Sequence, residues 1–139
     1  MKKFYFLVLL LLSGTAQSAG SDIKFTEGWI KQLPAIVPMR AGYIQINNPS
    51  ALEISIVALH SDAFEKVEIH ETMMADDMMK MVELDSLLLP PKSAVQLKPG
   101  GKHLMLVNPT QSLNIGDSIT LQITFSDLTT QTTQLLIKK

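Results

Sequence analysis

The chain has 139 residues, 46% hydrophobic and 18% charged, with a formal net charge of −1. That is enough apolar chain for one domain with its own core, and its charge balance excludes the basic face expected of a nucleic-acid binder. It contains no Cys, which excludes disulfides, zinc–thiolate sites, thiol redox catalysis and the cysteine of a lipobox anchor.

Residues 1–19 read as a cleaved signal peptide. Lys2 and Lys3 precede an apolar run over residues 4–12 that is too short to span a bilayer as a helix. Ser13, Gly14, Ala16, Ser18 and Ala19 supply the small residues a signal peptidase requires. Cleavage fits after Ala16 or Ala19, and the later position is taken here. Residues 20–139 are then expected to form a single domain in the periplasm.

Beyond residue 20 the chain reads as short strands separated by Gly and Pro punctuation. Strands are predicted over residues 23–29, 43–47, 52–56, 66–70, 79–84, 94–98, 103–107, 119–125 and 132–137. Pro34 and Pro38 mark residues 32–40 as an extended loop. Leu52, Ile54 and Ile56 alternate with polar neighbours, as do Val67 and Ile69. Residues 71–80 read as a hairpin loop with Asp76 and Asp77 at its tip, and residues 128–134 as a polar edge strand or hairpin. Nine short strands at near-regular spacing predict an all-β sandwich of the Ig-like, Greek-key kind.

Four residues stand out against this frame. His70, Met81, His103 and Met105 are spaced as His, ten residues, Met, twenty-one residues, His-x-Met. In a strand, residues i and i+2 share a face. Leu104 and Leu106 claim the core side of their strand, so His103 and Met105 share the opposite side. Val67 and Ile69 place His70 off the core face, and Val82 and Leu84 do the same for Met81. Thioether sulfur with neutral imidazole, and no thiolate or carboxylate, is a donor set that favours Cu(I) over Zn, Mg or Ca.

Each residue also has an ordinary reading. A single His-x-Met on a strand carries no metal signal, His60 reads as structural or solvated, and Trp29 with Pro34 reads as packing. Met73, Met74, Met78 and Met79 would more often be apolar packing in the hairpin loop. Beside a soft-metal site they could instead shield the ion, lend transient donors or form a docking surface. Only the four-residue set taken jointly outweighs its ordinary reading.

In this spacing the chain resembles the periplasmic copper chaperones called PCuAC, whose motif is His(Met)-x10-Met-x21-His-x-Met. The resemblance extends through His70-Glu71-Thr72, Met79-Lys80-Met81 and the run from Leu97 through Pro99-Gly100-Gly101 to His103-Leu104-Met105, and covers about residues 23–126. It implies a cupredoxin-like β-sandwich holding one Cu(I) per chain through His70, Met81, His103 and Met105. It also implies copper delivery toward the CuA subunit of cytochrome oxidase, alongside Sco-type thiol proteins. The His- and Met-rich C-terminal extension of many members, linked to Cu(II) binding, has no counterpart in Leu135 to Lys139, so no second, Cu(II) site is expected.

The expectation is therefore a carrier and not an enzyme. No Ser/His/Asp or paired-carboxylate arrangement stands out, and the absence of Cys argues against a blue-copper site. The alternatives are a copper buffering or tolerance protein and a metal-free Ig-like binding module.

Overall fold

The structure, a computed structural model, describes residues 14–15 and 19–139; most of the predicted signal peptide, residues 1–13 and 16–18, lies outside the described residues. A short 3₁₀ turn, Ala19–Asp22, leads into ten strands: β1 (Lys24–Lys31), β2 (Met39–Asn48), β3 (Ile54–His60), β4 (Phe64–Ala75), β5 (Met78–Leu84), β6 (Leu87–Leu89), β7 (Ser93–Leu97), β8 (Lys102–Pro109), β9 (Ser118–Phe125) and β10 (Thr130–Lys138).

The period-2 pattern sets which face each strand buries. Along β9, Ile119, Leu121, Ile123 and Phe125 are buried and alternate with polar residues. The pairing order is β5-β4-β8-β2-β1-β10-β9-β3-β6, with β7 also on β2. Strand β2 divides its edge: Met39 to Gly42 pair with β8, and Ile44 to Asn48 pair with β7. Every pairing is antiparallel except β1 with β10. The two halves of this path fold onto one another. Ile69, Leu104 and Leu106 from one half share a core with Ile56, Leu121 and Ile123 from the other. The fold is the expected all-β sandwich.

Several expectations about its parts change. The nine predicted strands become ten among the described residues. Strand β6 is a run of three leucines with no alternation to reveal it. Leu52 lies outside β3 and is exposed, whereas β3 continues to His60. Residues 71–80 are not a loop: β4 and β5 stay paired as far as Ala75↔Met78, leaving a two-residue turn at Asp76 and Asp77. Both have positive φ, 50° and 60°, as a type I′ hairpin turn requires. Strand β10 pairs with β9 over residues 130–136 and with β1 only at residues 136–138, so residues 130–134 are one arm of the β9–β10 hairpin with β9 as their only ladder partner among the described residues, in keeping with the polar edge strand or hairpin expected over 128–134. Thr130, Thr132 and Gln134 are exposed, whereas Gln131 and Thr133 are half-buried on the face of Leu135 and Ile137.

Two buried polar side chains hold loops to this frame. Arg40 begins the buried row of β2, and its guanidinium donates to the carbonyls of Leu33, Pro34, Val37 and Met39. The loop over residues 32–38 is thereby clipped down, and burial lowers the Arg40 pKa. Asn48 donates its amide to the carbonyls of Leu52, Leu89 and Pro90 and accepts from the Ser50 N–H.

Candidate metal centre

Strand β4 lies between β5 and β8, and both ladders are antiparallel. Directly paired residues point to the same side of such a sheet. On the β8 side Glu68 pairs with Met105 and His70 with His103. On the β5 side His70 pairs with Glu83 and Thr72 with Met81. His70, Met81, His103 and Met105 therefore share the outer face of three adjacent strands, opposite the core. His70 sits in the middle. His103 is its direct cross-strand neighbour, with ring centroids 6.1 Å apart, and Met105 and Met81 are its diagonal neighbours on either side.

Burial falls off across the set. His103 is 5% exposed, Met105 half-buried and Met81 60% exposed. His70 retains only 13% side-chain exposure. His103 is thus off the core face yet buried. Val82, expected in the core, is exposed, because the outer part of the β4–β5 hairpin extends past the sandwich; Leu84 does pack against the core.

A turn and a carboxylate orient the two imidazoles. The β7–β8 connection places Pro99 and Gly100 at the centre of a turn closed by Gly101 N–H to the Lys98 carbonyl, 3.1 Å. Gly100 has φ +81°, the value a type II turn demands after proline. The Gly101 carbonyl then accepts from the Thr72 N–H and from His103 Nδ1, at 3.3 and 3.0 Å. A carbonyl can only accept, so His103 carries its proton on Nδ1 and its lone pair on Nε2. His70 is the reverse. Its Nε2 lies 2.6 Å from Glu68 Oε2, which accepts, leaving the lone pair on Nδ1. That Nδ1 is buried and has no hydrogen-bond partner among the described residues. An orphaned buried acceptor costs on the order of 1–3 kcal/mol, a cost that coordination to a cation would remove. Donor chemistry and this unpartnered nitrogen both fit a soft cation.

Two residues on this face escaped the sequence reading as site residues. Glu68 contacts both Lys66 and His70, and these two partners, Lys66 foremost, hold its carboxyl below the ordinary carboxylate range. Glu83 lies opposite His70, and donor atoms of Glu68, His70 and Glu83 fall within 4.8 Å of one another. The signal for Glu68 was its i−2 position on the His70 face. The signal for Glu83 was a cross-strand register that only the turn at Asp76 and Asp77 fixes. His60, read as structural or solvated, is exposed and pairs with Asp62 at 2.9 Å.

The family described as "Putative lipoprotein LpqE-like" matches residues 23–137. Protein RP573 of Rickettsia prowazekii is 30% identical over 115 residues, which is 80% of this chain and 64% of that protein, so this chain spans under two thirds of that relative's length. Among solved structures, the "Copper-bound PCuAC domain from PmoF2" superposes with a TM-score of 0.71 at 20% identity, covering 84% of this chain and 92% of that one. "Solution structure of CuI-DR1885 from Deinococcus Radiodurans" gives 0.65 at 23% identity, covering 89% and 85%. Among the described residues no helix is long and apolar enough to cross a membrane. The chain belongs to the LpqE-like family, and its fold is that of PCuAC domains.

Proposed function

We propose that this protein is an extracytoplasmic Cu(I) carrier. Residues 20–139 form the copper-binding domain, exported to the periplasm by a signal peptide over residues 1–19. One Cu(I) per chain is held by His70 Nδ1, His103 Nε2 and the thioethers of Met81 and Met105. The observation that carries this reading is the unpartnered, buried Nδ1 of His70, on a face shared with one further imidazole and two thioethers. Copper-containing PCuAC structures with the same fold support it.

The neutral donor set leaves the ion its charge, which Glu68 and Glu83 partly offset from the same face. Glu68, His70 and Glu83 are also the harder donor set on these strands. The soft set is favoured because Glu68 is already engaged by Lys66 and His70, and Glu83 is exposed. Met81, the most exposed of the four, is the first donor an incoming acceptor would displace. Release is then stepwise ligand exchange and needs no acid–base or redox chemistry, so the protein acts as a carrier and not as an enzyme. The family resemblance names the CuA subunit of cytochrome oxidase as recipient, with Sco-type thiol proteins alongside.

Anaerobic Cu(I) titration of the wild type against a His70→Ala, Met81→Ala, His103→Ala, Met105→Ala variant tests the site. The wild type takes up one tight equivalent and the variant loses it. Equal uptake by both proteins would sink the proposal, and no uptake by either would favour the metal-free module. Transfer of the bound copper to a purified CuA domain or to a Sco-type dithiol tests the destination. Tight binding with no transfer to either would point to buffering.

A further inference from the structure

The hairpin beyond the four donors carries more thioethers than that site uses. Met73, Met74, Met78 and Met79 are 50%, 68%, 63% and 67% exposed. Leaving apolar side chains of this size in water forfeits the stabilisation their burial would give. Strand β5 is the end strand of the pairing order among the described residues, so the β4–β5 hairpin is flanked on one side only.

The ladder sorts these residues in a way their clustering in sequence could not. Met74 pairs directly with Met79, and Thr72 with Met81. Met74, Met79 and Met81 therefore lie on the face that holds His70, while Met73, paired with Lys80, and Met78, paired with Ala75, lie on the reverse. The two-residue turn leaves no slack for this register to slip.

We infer that Met74, Met79 and Met81 form a second Cu(I) site, an all-thioether acquisition site at the hairpin that shares Met81 with the histidine site. This rests on the carrier reading above. Directly opposed Cβ atoms are about 5 Å apart and i, i+2 neighbours about 7 Å. The three rotatable bonds of each Met let three sulfurs converge on one ion from those positions. Thioether-only coordination selects Cu(I) over the harder divalent ions. The acidic tip, Asp76 and Asp77, favours approach of a cation to this end of the hairpin. Cu(I) moves inward by donor exchange. Met81 keeps its Cu–S bond while the bonds to Met74 and Met79 break and bonds to the imidazoles and Met105 form. The ion's oxidation state does not change and no proton is transferred.

The test is anaerobic Cu(I) titration of protein isotope-labelled at the methionine methyls, followed by NMR, for the wild type and a Met74→Leu, Met79→Leu variant. In the wild type the first equivalent shifts Met81 and Met105, and further Cu(I) shifts Met74 and Met79 and moves Met81 a second time, as Met81 passes to the hairpin ion and leaves the first on His70, His103 and Met105, while Met73 and Met78 stay in place. The double variant loses the second uptake and keeps the first at an unchanged midpoint. Three results overturn the inference: Met74 and Met79 do not respond, all hairpin methionines shift together, or the double variant retains the second uptake. A silent Met105 at the first equivalent, with Met81 still responding in a His70→Ala, His103→Ala variant, would instead overturn the histidine site. The response of Met74 and Met79 is read independently of it.

Discussion

His70 and His103 oppose one another across the β4–β8 ladder, yet their outer hydrogen bonds leave opposite ring nitrogens free. The Gly101 carbonyl takes the proton of His103 Nδ1, and the Glu68 carboxylate takes that of His70 Nε2. Such outer partners orient a ligating imidazole and raise its basicity, and losing one typically costs about 10–100-fold in metal affinity. Glu68→Ala should therefore weaken Cu(I) binding by about that factor, measured by competition with a Cu(I) chelator. Glu68→Gln should recover much of the loss, because the amide oxygen accepts from the same N–H. The carboxyl also carries a stability signature. Its pKa is lowered in the folded state by Lys66 and His70, so its contribution is present above the unfolded carboxylate range and lost as pH falls through the depressed value. The difference in thermal midpoint between wild-type and Glu68→Gln apo-protein should accordingly be largest near neutral pH and close under strong acid. A gap that widens on acidification would show that Glu68 is not stabilised as a carboxylate.

At the scale of elements, strands with clean alternation were legible in the sequence and devices that interrupt alternation were not. Strand β9 announces itself through Ile119, Leu121, Ile123 and Phe125. The alternation around Val67 and Leu104 also sufficed to put His70, His103 and Met105 off the core face. Strand β6 has no polar partner for its leucines and is strand only because β3 pairs with it. The β4–β5 hairpin looked like a loop because its methionines resemble neither core nor turn. Its paired length depends on Asp76 and Asp77 accepting positive φ, a conformation short polar side chains tolerate. Glu83 could not be placed beside His70 without that register. A bulge in β1 was equally hidden. Register shifts between Thr26 and Trp29, Glu27 takes φ 55°, and a Cβ on Gly28 would meet Leu135 Cδ2 at 2.7 Å and the Gln134 carbonyl oxygen at 2.9 Å. Gly28→Ala should destabilise the protein by about 1–3 kcal/mol, read as a lowered denaturant midpoint. A neutral result would mean that β1 and β10 can separate at this point without loss.

For the whole molecule, the candidate donors come from the β4–β5 hairpin and from β8, which meet only when the sheet is formed, so the folded state alone presents the full set. Binding to the native state stabilises it by mass action, by about 4 kcal/mol when free ligand is 1,000 times its Kd. Cu(I)-loaded protein should therefore melt well above apo-protein, and a Cu(I) chelator should return the midpoint to the apo value. An unchanged midpoint under saturating copper would place the donors in a segment that binds equally well unfolded. The position of β10 has a different consequence, one of order in time. A chain emerging N-terminus first completes β1 long before residues 130–138 arrive and β9 only just before them, yet β10 is the strand that joins them, parallel to one and antiparallel to the other. Until then each presents a bare edge of unpaired N–H and C=O groups. The sandwich cannot close ahead of its last strand. Closure of the sheet between β1 and β9 therefore waits for the last strand of the chain, whatever has paired before it.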